Sequence, residues 1–208
     1  AGLADRMLCG GAEAASHYIW AGFDSMRVMN RGSNDAPEKA SRPLSASAGG
    51  FIPGSGSGVV LIESLESALE RGAHIHAELA GSGVNCGGHR MGGSMTSPNP
   101  TSVQRCITDA LADAGVRPEE VDAINGHLTA TGADPKEIGS WSRALGRGPG
   151  ELPPITATKS MVGHALGAAG GLEAVASILM VEKGFVHPSI NCEDVHPEIE
   201  PHASSIPH

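Results

Sequence analysis

Residues Val121 to Thr158 read VDAINGHLTATGADPKEIGSWSRALGRGPGELPPITAT, and the order of patterns in this stretch sets the fold class. VDAIN (Val121 to Asn125) is a short apolar run of strand length. Asp134 and Glu137 stand at capping-box spacing, and Ile138, Trp141 and Leu145 then share one helical face. PPITAT (Pro153 to Thr158) is a second short strand. Two consecutive strands joined by a crossover helix run parallel, so the stretch predicts an α/β domain with a mainly parallel sheet. Sites in such sheets form beyond the carboxyl ends of the strands. His127 follows the first strand there, and Lys159 and His164 follow the second.

The pattern extends outward in both directions. Downstream, a helix is expected from about His164 to Lys183, with Leu172, Val175, Ala176 and Leu179 as its apolar stripe. Its other faces are so poorly polar that burial on most sides is predicted. HPSINCED, from His187, reads as a further strand. Upstream, Thr101 and Gln104 repeat the capping spacing, Val103, Ile107, Ala110, Leu111 and Ala114 follow at helical intervals, and Gly115 ends the helix. HIHAELAG, with Ile75, Ala77 and Leu79 alternating, predicts a strand, as does VVLIESL from Val59. The segment from Asn30 to Gly58 is dense in turn formers. The opening residues AGLADRMLCGGAEA read as a helix end entering a short buried strand, which points to the later part of a longer protein.

Composition narrows the function classes. A formal net charge of -9 disfavours a nucleic-acid binder, which needs basic surface to neutralise phosphates. Arg27, Arg31, Lys39 and Arg42 form a local basic cluster of the kind usually found as solvated surface. Aromatics are only 3% of the chain, so Ala, Val, Leu and Ile must build the core. Cys9, Cys86, Cys106 and Cys192 form no CxxC pair and read as reduced thiols, consistent with a cytoplasmic protein. No apolar run is long enough to span a membrane and no signal peptide is visible. His17, His74, His76, His89, His187, His196, His202 and His208 show no metal-ligand spacing on a clear helix, although His74 and His76 share a strand face.

Three stretches are candidates for chemistry. In NGHLTATGADPKE, His127 meets Thr129 and Thr131 before a helix; an incidental histidine in a polar loop is the competing reading. In TKSMVGHALGAAGG (Thr158 to Gly171), His164 is expected at the N-terminus of the long helix. The helix dipole there disfavours a positive charge, so a neutral imidazole would donate a hydrogen bond to a carbonyl or enolate oxygen. Lys159 would orient a partner or hold a carboxylate, with Glu137 the candidate; a salt bridge beside a buried histidine is the alternative. GSGSG (Gly54 to Gly58) precedes its strand and lacks Gly-Lys-Ser/Thr, so it reads as a tight turn or close backbone approach and not as a phosphate loop.

Together these stretches resemble the β-ketoacyl-acyl-carrier-protein synthases, the condensing enzymes with a Cys-His-His site. GGAEA (Gly10 to Ala14), NDAPEKASRP (Asn34 to Pro43), GFIPGSGSGVVLIE (Gly50 to Glu63), ALERGAHIHAELAG (Ala68 to Gly81), the His127 stretch, the Lys159–His164 stretch and PSIN (Pro188 to Asn191) occur in that family's order. The resemblance implies a thiolase-like α-β-α-β-α layered fold, present as an incomplete copy. Residues 1–67 would end the N-terminal half and 68–208 would form a C-terminal half lacking its last strands.

The implied reaction is a decarboxylative Claisen condensation of an acyl thioester with malonyl-acyl-carrier protein, in fatty-acid or polyketide synthesis. His127 and His164 would stabilise the enolate oxygen and Lys159 would support them. Thr129 and Thr131 would contact the phosphopantetheine arm, and Glu137 would be the buried supporting carboxylate. No metal or dissociable redox cofactor is implied, since phosphopantetheine arrives on the carrier protein. The expected partners are acyl carrier protein and a second synthase chain, identical or related.

Departures from the family pattern bear on this reading. The family's nucleophilic cysteine lies upstream of anything in this chain, and Cys9 does not match it. Its C-terminal glycine-rich segment also has no counterpart. The usual His-Gly-Thr reads His127-Leu128-Thr129, and acidic positions of the family are replaced in AGG (Ala48 to Gly50) and GSG (Gly54 to Gly56). A non-catalytic partner resembling the chain-length factors, or a degenerate fragment that only binds partners, are the rival readings.

Overall fold

A computed structural model describes residues 4–88 and 92–208; His89 lies outside the described residues. The elements, in chain order, are β1 (Arg6–Glu13), α1 (His17–Ser25), β2 (Gly56–Glu63), α2 (Leu65–Glu70), α3 (Pro100–Ala114), β3 (Ile124–Asn125), α4 (Asp134–Leu145), β4 (Ile155–Thr156), α5 (Lys159–Val162) and α6 (Ala169–Lys183).

The crossover unit forms as predicted. β3 and β4 pair in parallel, with Ile124 opposite Ile155 and Asn125 opposite Thr156, and α4 connects them. The other sheet is an antiparallel ribbon in which β1 pairs with β2 from Arg6↔Glu63 to Glu13↔Gly56. The described sheets are therefore one parallel pair and one antiparallel pair, not a mainly parallel sheet.

The main core lies around α4 and β4. Leu44, Leu128, Ile138, Trp141, Leu145, Leu152, Ile155 and Ile199 are buried together there. Removing a side chain of this size from water is worth about 2 kcal/mol. The expected face of Ile138, Trp141 and Leu145 is thus the face that α4 buries.

Glycine sets how closely α6 approaches the ribbon. A Cβ on Gly58 would lie 2.2 Å from the carbonyl carbon of Gly171, so backbone meets backbone where α6 crosses β2. This is the close approach expected of GSGSG. The ribbon's other face is open: Leu8 is 73% and Leu61 51% exposed. The opening strand is consequently not a buried one. α6 is mostly half-buried, with only Ala169 and Met180 fully buried, not covered on most sides.

Local hydrogen bonding explains the other differences. HIHAELAG forms no strand; the extended segment after it runs along α3, whose side chains take its polar groups. The Cys106 thiol donates to the Gly83 carbonyl at 2.8 Å, and the Ser82 amide donates to Asp113 at 2.9 Å. The cap of α3 is Asn99, whose Oδ1 accepts from the amides of Thr101 and Ser102; the Thr101/Gln104 box is not used because the cap lies two residues earlier and Thr101 is already inside the helix. Gly115 ends this helix in the left-handed conformation, as expected. HPSINCED is also not a strand, although Val195 just beyond it makes an isolated bridge to Ser45.

Candidate active site

The loop after β3 is shaped by two carboxylates at the start of α4. Neither caps its own helix. Glu137 accepts the amides of His127 at 2.7 Å and Leu128 at 3.0 Å, one on each oxygen. Asp134 accepts the amides of Thr129 at 2.9 Å, Ala130 at 3.1 Å and, from a distant segment, Leu44 at 3.1 Å. The spacing predicted at a helix start is real, but its acceptors serve the loop that carries His127. Charged acceptors make such bonds stronger than neutral ones.

Leu128 does not disturb this loop. It is fully buried in the core and is not among the residues of positive φ. The left-handed position falls on Ala130, at φ 61°. The carbonyl of Ala130 accepts the Gly50 amide at 3.0 Å, which holds the strained residue in place.

His164 is placed by a different device from the one predicted. It does not open the long helix, which begins at Ala169 after a 3-10 turn over Leu166–Ala168. Its backbone is extended and bridges Pro53: the His164 amide donates to the Ile52 carbonyl at 2.7 Å, and the Gly54 amide donates to the His164 carbonyl at 2.9 Å. Gly163, at φ 72°, makes the preceding turn, and a Cβ there would lie 2.9 Å from the Ile52 oxygen. His164 thus stands before the helical run and not in the first turn of α6. Burial is the larger cause and the Lys159 ammonium the second, and together they push its pKa down to about 4.

The two imidazoles meet edge to face with ring centroids 5.1 Å apart. Phe51 stands edge-on to His164 at 5.2 Å and is backed by Phe23 at 5.3 Å. His127 opens onto the same cavity, but surrounding protein, then Lys159, then His164 hold its pKa down, to about 3.

The proton positions on both rings follow from their neighbours. The Lys159 ammonium, a donor only, lies 3.3 Å from His127 Nδ1. The Leu166 amide donates to His164 Nδ1 at 3.2 Å. Each Nδ1 is therefore an acceptor, and each neutral ring carries its proton on Nε2.

Lys159 is buried, with 2% of its surface exposed. Its carboxylate partner is Glu173 of α6, not Glu137. Burial raises the Glu173 pKa and Lys159 lowers it. Glu137 is pushed up to about 7, chiefly by burial, against the pull of the two amides it accepts.

A cavity of about 780 Å³ brings most of the predicted residues together: His127, His164, Thr129, Thr131 and Glu137 all line it. The two threonine hydroxyls are 3.0 Å apart. Lys159 stands behind His127, outside the lining. Phe51, Asp134 and Glu173 were missed by sequence reasoning. Glu173 had a signal, since it is the sole charged residue of α6 before its last turn; the scarcity of phenylalanine marked Phe23 and Phe51. None of the four cysteines, all free thiols, lines the cavity. Within the basic cluster, Arg31 pairs with Asp24 at 2.6 Å and Arg42 with Asp194 at 2.8 Å, so it is partly neutralised.

Comparison with known proteins identifies the family. The family model of the beta-ketoacyl synthase C-terminal domain matches residues 76–193, and that of the N-terminal domain matches residues 1–68. The chain is 47% identical over 194 residues to 3-oxoacyl-[acyl-carrier-protein] synthase I, chloroplastic, of Arabidopsis thaliana, covering 91% of this chain and 40% of that protein. It is 40% identical to 3-oxoacyl-[acyl-carrier-protein] synthase 1 of Escherichia coli, covering 93% of this chain and 46% of that protein.

Among solved structures, a beta-ketoacyl synthase from Burkholderia phymatum superposes with a TM-score of 0.89 at 35% identity, covering 100% of this chain and 48% of that one. A type II PKS ketosynthase in complex with its acyl-carrier protein gives 0.87 at 32% identity, covering 100% and 49%. The chain thus spans less than half the length of these relatives and carries the corresponding part of the thiolase-like ketosynthase fold. The paired histidines, the lysine behind them and these matches lead to one conclusion: the chain belongs to the beta-ketoacyl synthase family.

Proposed function

We propose that this chain supplies the His/His/Lys part of a 3-oxoacyl-acyl-carrier-protein synthase site, which performs decarboxylative Claisen condensation in fatty-acid or polyketide synthesis. The supporting observation is the pair of neutral imidazoles lining one cavity, each with Nδ1 occupied by a donor and its proton left on Nε2. In this reading the malonyl thioester loses carbon dioxide, and the electron pair of the broken C–C bond moves onto the thioester oxygen as an enolate. The Nε2–H groups of His127 and His164 donate to that oxygen. Preorganised donors of this kind are worth about 3 kcal/mol each in barrier height. The enolate carbon then attacks an acyl thioester and a thiolate leaves.

Lys159 acts by keeping His127 in the Nε2–H form. Thr129 and Thr131 contact the phosphopantetheine arm of the carrier protein, and Glu137 holds the loop. None of this chain's cysteines reaches the cavity, so in this reading the acyl-bearing thiol belongs to another segment or chain. The 208 residues alone then form no carbon–carbon bond. The partners in this reading are acyl carrier protein and a second synthase chain, and the compartment is the cytoplasm. A chain-length-factor-like partner is the rival reading, favoured by Leu128 and the replaced acidic positions and opposed by the intact histidine pair.

The test is carbon dioxide release from malonyl-acyl-carrier protein by an assembly that contains this chain. His164→Ala is expected to slow release by about a hundredfold; unchanged release would favour the rival.

A further inference from the structure

Two histidines that looked ordinary in sequence converge on one carboxylate. His74 and His76 lie two apart on the extended segment after α2, so their side chains share one side of the chain. His74 Nε2 is 2.9 Å and His76 Nδ1 3.0 Å from the same oxygen, Oε1 of Glu182, in the last turn of α6. The two rings stand edge to face with centroids 4.5 Å apart. One potential ligand atom from each residue falls within 4.8 Å of the others, the only such His/Cys/Asp/Glu group among the described residues. Glu182 is largely covered and held by its helix, while both histidines are exposed and free to adjust. The other carboxylate oxygen, Oε2, lies 4.0 Å from Lys183 Nζ.

We propose that His74, His76 and Glu182 form a binding site for a divalent transition-metal ion of the zinc type. Two imidazoles and one carboxylate, with no thiolate or cluster of hard oxygens, are a ligand set typical of zinc, with water completing the coordination. With bonds of about 2.0–2.1 Å, the ligand atoms of a tetrahedral zinc stand about 3.3 Å apart. The two nitrogen–oxygen separations therefore need to open by only a few tenths of an ångström. The ion takes the place of the two imidazole–carboxylate hydrogen bonds: each ring gives up the proton that it donates to Glu182 and, as a neutral ligand, carries its one remaining proton on the nitrogen that does not bind. It ties the extended segment, which belongs to no sheet, to the end of α6. The same helix carries Glu173, the partner of Lys159, so the ion braces the element that holds the lysine.

The experiment titrates zinc into the reduced full chain against a chromophoric chelator, with cobalt as a spectroscopic probe of ligand number. One equivalent with low-micromolar or tighter affinity is expected, retained after the four cysteines are alkylated, with a rise in Tm on binding. H76A and E182Q are each expected to weaken that equivalent by about tenfold or more and to abolish the metal-dependent rise in Tm. His76 is exposed and Glu182 half-buried, and the metal-free Tm of each variant reports whether it folds. Millimolar affinity only, loss on alkylation, or an unchanged equivalent in both variants would overturn the proposal.

Discussion

A lysine ammonium has three protons to donate and no lone pair, and this fixes the tautomer of His127 through a 3.3 Å contact. Lys159 therefore meets two neighbours at once: the imidazole it orients and Glu173, whose charge it balances. Lys159→Met leaves the Glu173 carboxylate buried without its partner and is expected to cost about 3 kcal/mol of stability by denaturant unfolding. Adding Glu173→Gln should recover part of that loss, and full additivity of the two changes would count against a coupled pair.

Titration supplies a second residue-scale prediction. His127 and His164 are held at about 3 and about 4, against about 6.5 in an unfolded chain. Between about pH 6.5 and 4 the unfolded chain binds more protons, so their contribution to stability is lost as pH falls. Glu137, raised to about 7, works in the opposite direction: the folded form holds its proton where an unfolded chain does not, and this contribution is lost as pH rises through 7. Asp134 and Glu173 are raised by burial in the same sense. Glu137→Gln removes one opposing contribution, so its fall in stability from pH 7 to pH 5 should exceed that of the wild type. A smaller fall would contradict the stated shifts.

His127, His164 and Lys159 were legible in sequence because titratable groups at strand ends stand out. The cause of the neutrality of His164 was only partly legible. It is burial first and the Lys159 charge second, and the burial follows from a backbone pairing with Ile52 and Gly54, more than a hundred residues away.

At the scale of elements, local signals were read well where the chain satisfies itself locally. The helices α3 and α4 end at Gly115 and Gly146 in left-handed conformations, and the α4 stripe is its buried face. Signals failed where a distant partner decided. The Asp134/Glu137 spacing marks a helix start, but its acceptors turn toward the His127 loop. The alternation in HIHAELAG marks a strand, but the segment that continues it hydrogen-bonds to side chains of α3. The packing of α6 on β2 rests on a contact no side chain can share. Gly58→Ala puts a methyl group 2.2 Å from the Gly171 backbone and is expected to cost about 3 kcal/mol, read as a lower unfolding midpoint. A neutral outcome would show that α6 can lift from the ribbon without loss.

Across the whole molecule, the chain spans less than half the length of its relatives; its ribbon and its parallel pair join segments distant in sequence, which local pattern does not show. No helix among the described residues is long and apolar enough to cross a membrane. What the molecule does bring together is the end of β3, the segment after β4 and the Phe51 region around one cavity. The proposed chemistry needs two imidazoles presenting Nε2–H groups there in the neutral form. Nitrogen-15 NMR of the histidine side chains, recorded on the chain from pH 7.5 to 5, reads the proton positions directly. The prediction is that His127 and His164, assigned by His→Gln substitution, remain neutral Nε2–H tautomers throughout. A midpoint of protonation near about 6.5, or an Nδ1–H tautomer in either ring, would contradict it.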